Sequence, residues 1–409
     1  MIISNEKRKQ TRQQTKERRK LQVCKTYKVK IDKSSLSETK IEYLARLFLE
    51  AKWWYNYILM QDNVFVKHLC TTKIVKVMNK DRQFENRELK FLSFKAKQSI
   101  QEHVIANVKS LSTKKKKGYK VGKFKFKSFI NMIPGRYFIK DHNKIKIDRF
   151  KQCFRVRGLD QIPENAEITT IKLIRRYKDY YFYINTFQTK QTQVKTNQYI
   201  GIDLGIKTVL NFSNRVKIDA NLPINNKIKK LHQNVSKKMK HSKNRDKART
   251  RLQKAYIERD NQKEDVTNKI VHILTTNFDN ICIQNDNITK WQQQYGKKVD
   301  ASIIGRTVGK LKQSPKTIIV DRYFPSTKLC PVCNTLTTLT LSDRVFKCQN
   351  CGYEEDRDIK AARMILVEGM KQVGVPVEYR DLKLVENETA AKMSEYFKST
   401  PHIKVSFAR

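Results

Sequence analysis

The chain has 409 residues, enough for two or three domains with cores of their own. Its 86 Lys and Arg stand against 39 Asp and Glu, a formal net charge of +47 that exceeds what solubility requires and selects a polyanion as partner. With 39% apolar and 10% aromatic residues it is not a disordered polycation, and it lacks the run of about 18 apolar residues that a membrane span needs.

Residues 1–20 hold eight Lys or Arg, two Glu and little that is apolar, and read as a flexible basic arm. Residues 21–34 supply a strand through the alternation Val23, Lys25, Tyr27, Val29, Ile31. A capping box at Ser35 to Glu38 opens a helix with Ile41, Leu44, Phe48, Ala51, Trp54 and Ile58 on one stripe, and a second helix runs from about Ser93 to Leu111. Residues 35–112 are therefore a helical lobe.

Lys114, Lys115, Lys116, Lys117, Lys120, Lys123, Lys125 and Lys127 follow with no acid among them and with Tyr119, Phe124 and Phe126 interleaved. Clustered like charges repel unless a partner offsets them, so this segment, read as a strand, is expected to contact nucleic acid. Residues 113–195 are rich in strand-like runs and are expected to form a small β-barrel that the first strand completes.

Residues 196–326 open with Gly201-Ile-Asp203-Leu-Gly205, a buried strand carrying one acid and then a tight turn. A carboxylate there must be paired, protonated or bound to a cation, and a metal site is the reading adopted. A basic helical stretch from about 225 to 277 suits a phosphate backbone, with Arg245 as one contact. Ile281-Cys-Ile-Gln284-Asn-Asp286 is a further central strand.

Residues 327–353 carry Cys330-Pro-Val-Cys333 and Cys348-Gln-Asn-Cys351, the paired knuckles of a four-thiolate zinc ribbon. The alternative of two disulfides fits poorly with a chain that shows no secretory segment, and a reducing, cytoplasmic setting is expected. Asp358 opens a helix over 354–370, and 371–409 form a tail of no evident role.

Asp203, the strand at 284–286 and Asp358 are positions that a ribonuclease H-like α/β domain would bring to one point, where carboxylates hold divalent ions for phosphodiester hydrolysis. Their order resembles the split RuvC nuclease of the TnpB family and of its relatives, the smallest type V CRISPR effectors. The resemblance rests on Gly-Ile-Asp203-Leu-Gly, Ser242-Lys-Asn-Arg245, Asn261-Gln-Lys-Glu-Asp265, Phe324-Pro-Ser-Thr-Lys-Leu-Cys330, the paired Cys-x-x-Cys and Asp356-Arg-Asp358 before Ala-Ala. It implies a multidomain α/β protein: a RuvC-like domain with an inserted zinc ribbon, preceded by a wedge-like β-barrel with an inserted helical recognition lobe. It also implies an RNA-guided endonuclease of transposable elements, in a bacterial or archaeal cell and nucleoid-associated. A guide RNA and target double-stranded DNA would be its partners, Mg2+ its catalytic ion and structural zinc its second metal, in a monomer or homodimer.

One departure stands out. The family's middle Glu is Gln284 here, and strand alternation would put Asp286 on the same face about 7 Å further on. A rearranged catalytic set of Asp203, Asp286 and Asp358 is the reading adopted; the alternative is a nuclease-inactive, RNA-guided protein that represses by occupancy. Lys360 likewise replaces the family's Asn after the third acid.

Overall fold

The computed structural model of the protein describes residues 5–79, 81, 83–190, 195–206, 208–220, 222–340, 343–380 and 382–407. The chain divides into two compact units, residues 1–192 and 193–409.

The first unit runs α1 (Asn5–Lys20), β1 (Gln22–Ile31), α2 (Glu38–Leu59), the hairpin β2 (Ile74–Met78) and β3 (Phe84–Glu88), α3 (Phe94–Lys116), then β4 (Met132–Gly135), β5 (Tyr137–Asp141), β6 (Lys144–Ile147), β7 (Cys153–Arg157), β8 (Glu167–Arg176) and β9 (Asp179–Thr189). The strand order is β4-β8-β9-β1-β7-β6-β5, so β1 lies at the centre and does not close an edge. Among the described residues no ladder joins β4 to β5, and the strands form one continuous sheet.

Helix α2 buries Leu44, Phe48, Ala51, Trp54 and Ile58, the stripe expected from its spacing. Its cap is Ser37, whose hydroxyl accepts from Lys40 N, and not Ser35. The buried Glu50 carboxylate accepts from the backbone N–H groups of Lys90, Phe91 and Leu92 at 2.8 Å, fastening the approach to α3.

Besides the β-barrel, which is an open sheet here, and the cap, two further expectations are corrected in this unit. The basic arm is helical from Asn5 on, because Gln, Lys and Arg are good helix formers and Arg19 anchors the end by pairing with Glu167 and lying 3.6 Å from the Phe187 ring centre. Residues 1–4 lie outside the described residues. The lysine-rich stretch is no strand: Lys114, Lys115 and Lys116 end α3, and residues 118–131 run without ladder partners. Asn56 takes the place of a neighbouring strand at Lys127, accepting from its N–H at 2.9 Å and donating to its carbonyl at 3.0 Å.

The second unit comprises β10 (Tyr199–Leu204), β11 (Leu210–Phe212), β12 (Val216–Ala220), α4 (Ile224–Ser236), α5 (Lys243–Asn277), β13 (Asn280–Gln284), α6 (Ile288–Tyr295), α7 (Lys297–Ala301), α8 (Ile304–Leu311), β14 (Thr317–Val320), the hairpin strands β15 (Val345–Lys347) and β16 (Glu354–Asp356), α9 (Arg357–Gln372), α10 (Leu382–Lys398) and β17 (Ile403–Phe407). Its six-stranded sheet has the order β14-β13-β10-β11-β12-β17, with β10, β13 and β14 parallel and the rest antiparallel. The basic stretch after β12 is thus two helices, and the tail supplies α10 and the edge strand β17.

Gly201 sets how closely α9 lies over β10, since a Cβ there would strike the Ala362 carbonyl and the Leu366 side chain. Gly369 does the same against Cys282 of β13. This close packing brings the first turn of α9 to the carboxyl ends of the parallel strands.

Candidate active site

Asp203 sits one residue from the end of β10, half-buried, opposite Asn211 of β11. Burial, followed by the charges of Asp358 and Asp286, pushes its carboxyl up to about 8, while Arg357 and a hydrogen bond with the Asn211 side chain act the other way. Asn211 is itself buried, and its Oδ1 has no hydrogen-bond partner. Sequence reasoning did not select Asn211; the tight turn at Gly205 was the signal that a hairpin would return it beside Asp203.

Asp358 stands in the first turn of α9, whose cap is Asp356: Asp356 Oδ1 accepts from the N–H groups of Asp358 and Ile359 at 3.1 Å. Lys217 of β12 donates to both Asp356 oxygens at 2.8 and 3.0 Å, and its Nζ is 3.9 Å from Asp358 Oδ2. Behind them, fully buried Arg363 pairs with Glu355 and donates to the Ser213 carbonyl at 3.2 Å, while Tyr353 and Tyr379 also donate to Glu355. These contacts lock β16 to α9, and so fix where Asp358 begins.

The middle position differs from the expectation. Strand β13 ends at Gln284, and Asp286 N donates back to the Gln284 carbonyl at 2.9 Å, so the chain has turned and the strand alternation used for Asp286 does not reach it. Asp286 still acts electrostatically on Asp203; burial raises its own carboxyl, against Lys312 and Arg322. The ladder Ile202↔Ile283, carried one step on, sets Gln284 level with Asp203. Its amide is committed elsewhere: Nε2 donates to the carbonyls of Asp321, Arg322 and Phe324 at 3.1, 3.3 and 2.7 Å, and Oε1 accepts from Ser326 Oγ at 3.0 Å.

The sulfurs of Cys330, Cys333, Cys348 and Cys351 all lie within 4.8 Å of one another. Cys330 to Cys351 is 3.6 Å and Cys333 to Cys348 is 3.5 Å, too long for disulfides. A tetrahedron with zinc–sulfur bonds of about 2.3 Å has edges of about 3.8 Å, which these separations approach. Lys360, fully buried, ties α9 to this ribbon, donating to the Leu329 carbonyl at 2.8 Å and lying 4.0 Å from the Phe346 ring centre. Burial lowers its ammonium to about 7.

The lysine positions of the basic segment lie on open surface. Lys114, Lys115, Lys116, Lys117, Lys120, Lys123, Lys125 and Lys127 are exposed, though Lys127 also covers the Tyr55 ring at 4.2 Å. Arg245 is partly spent within the fold, its guanidinium donating to the Lys238 carbonyl at 3.2 Å across the break between α4 and α5. Among the described residues no helix is long and apolar enough to cross a membrane.

A family model described as "Probable transposase" matches residues 182–292, and one described as "Cas12f1-like, TNB domain" matches 310–365. A "Putative RNA-guided DNA endonuclease" of Streptomyces pristinaespiralis is 28% identical over 231 residues, covering 53% of this chain and 56% of that protein. "TnpB-like protein L79" of Acanthamoeba polyphaga mimivirus is 25% identical over 218 residues, covering 47% of this chain and 42% of that one. The chain thus spans about half the length of the curated relatives it matches. The solved structure "Cryo-EM structure of the Cas12f1-sgRNA-target DNA complex" aligns with a TM-score of 0.47 and 14% identity, over 84% of this chain and 98% of that one.

Proposed function

We propose that the chain is a TnpB-family RNA-guided DNA endonuclease whose cleaving centre is Asp203, Asp286 and Asp358. The observation that carries this reading is the burial of Asp203 together with the nearby charges of Asp358 and Asp286, which raise its carboxyl to about 8, beside a buried Asn211 Oδ1 without a donor. Such a site is relieved by a cation, and carboxylate and amide oxygens suit a hard divalent ion such as Mg2+. When bound, that ion supplies activation of a water and charge relief at the scissile phosphate. The protein's part is to hold the acids: the Lys217–Asp356 pair and the Glu355–Arg363 cluster orient the start of α9, and Asp286 supplies the charge that Gln284 lacks.

The partners in this reading are a guide RNA and matched double-stranded DNA. The charge of +47 and the exposed lysines of 114–127 support it, as does the likeness to the "Putative RNA-guided DNA endonuclease" of Streptomyces pristinaespiralis. The four-cysteine group would hold one structural zinc. Sequencing the RNA that copurifies with the protein, then offering DNA matched to it in Mg2+, tests the reading. One discrete RNA species and cutting at matched DNA are expected; heterogeneous RNA with no cutting overturns it.

A further inference from the structure

Gln284 in place of an acid explains a neighbouring feature. The chain leaving β14 makes a tight turn over residues 321–326, in which Tyr323 N donates to Asp321 Oδ1 at 2.7 Å and Ser326 N to the Phe324 carbonyl at 2.8 Å. Three of its carbonyls converge on the Gln284 amide nitrogen, and buried Ser326 donates to the amide oxygen. An amide, with two N–H donors shared among the three carbonyls and an oxygen for Ser326, suits this setting; an ionised carboxylate there would face three carbonyl oxygens with no proton to offer. The residue that leaves the acid set is thus what fastens this turn.

The turn holds its backbone fixed and leaves the side chains of Arg322 and Tyr323 out. Tyr323 is 83% exposed and Arg322 beside it is exposed as well. Both leave the carboxyl end of β14, which pairs with β13, which pairs with β10, so the turn stands at the same end of the sheet as Asp203 and Asp286. An aromatic face and a guanidinium one residue apart on a rigid support match the base and phosphate of one unpaired nucleotide.

We infer that the Gln284-fastened turn is a nucleotide subsite of the candidate nuclease centre, in which Tyr323 stacks on an unpaired base of the strand being cut and Arg322 meets its phosphate. This rests on the nuclease reading, and the test separates the two. The RNA-loaded protein carrying Asp203→Asn, to hold substrate uncut, is irradiated with matched DNA bearing 5-iododeoxyuridine at successive positions, and tryptic peptides are mapped. A crosslink to the peptide spanning residues 323–328 from one or two adjacent positions is expected; none from any position overturns the subsite, whether or not the wild type cuts.

In the cutting enzyme, Tyr323→Ala should raise KM about tenfold with kcat little changed, and Tyr323→Phe should match wild type. Gln284→Glu should raise KM similarly, and adding Tyr323→Ala to it should add little, since both remove the same platform. An unchanged KM in Tyr323→Ala overturns the inference while leaving the nuclease reading intact; a wild type that does not cut overturns that reading, and the crosslink then judges the subsite alone.

Discussion

The ammonium of Lys217 lies 2.8 Å from Oδ2 of Asp356, the residue whose other oxygen caps the helix that carries Asp358. The strand bearing Lys217 is held on its outer side by β17, where Lys217 is opposite Ser406. The tail therefore bears, through one lysine, on the start of the helix that carries Asp358. Lys217→Met should lower cleavage at least tenfold at fixed Mg2+, with part of the loss recovered at higher Mg2+, and Lys217→Arg should retain most activity. Equal activity in Lys217→Met and wild type would remove this role.

The ribbon bears on the same helix from the other side, through buried Lys360 and its bond to the Leu329 carbonyl. If the cysteines hold the proposed zinc, removing it would cost that ammonium a fixed partner in a buried place, about 1–3 kcal/mol. Elemental analysis should find one zinc per chain. Cys348→Ser should lose it and lower the melting temperature of the protein by several degrees; zinc retained at full stoichiometry in that variant contradicts the assignment.

Protonation of Asp203 gives a pH signature. Its folded-state carboxyl is raised from an ordinary 3.8 to about 8, so the folded chain keeps a proton that the unfolded chain releases between those values. The stability this group contributes is fully present below about pH 4 and is lost as the pH rises through about 8. Thermal unfolding without divalent ions should therefore show a melting temperature that declines from about pH 5 to pH 8, with a smaller decline in Asp203→Asn. Identical declines in the two proteins would mean that Asp203 titrates normally.

Salt dependence of RNA binding reports on the lysine-rich segment. Each phosphate neutralised adds about 0.7 to 0.9 to the slope of log affinity against log salt. Replacing Lys114 to Lys117 by Gln should flatten the slope by about three if all four meet phosphates. Deleting residues 1–20 should flatten it less per charge, because Arg18 and Arg19 are already paired with Glu167. An unchanged slope means these charges face only solvent.

Much of this was legible in the sequence where a local rule governs. The stripe of α2, the buried strand with Asp203, the cysteine spacing and the helix start at Asp358 follow from periodicity, turn chemistry and capping, and they match the elements described here. What was not legible depends on long-range partners. Strand alternation could not locate Asp286, because only the pairing of Gln284 with Val320 shows where β13 stops. Lys97 of α3 is buried and its ammonium donates to the Thr72 carbonyl at 2.8 Å, a partner 25 residues away that no local pattern shows. The tail gave no signal, since β17 becomes a strand only by pairing with β12.

In the proposed cleaving centre it is Asp286, and not residue 284, that completes the acid set. The direct measurement is cleavage of matched DNA by the RNA-loaded protein in Mg2+, compared among wild type, Asp203→Asn, Asp286→Asn and Gln284→Glu, with target binding measured alongside. Wild type should cut, both Asn variants should lose cutting by about a thousandfold or more while still binding target, and Gln284→Glu should cut less well than wild type because it unfastens the turn at 321–326. Cutting that survives Asp286→Asn, or that increases in Gln284→Glu, would contradict the account.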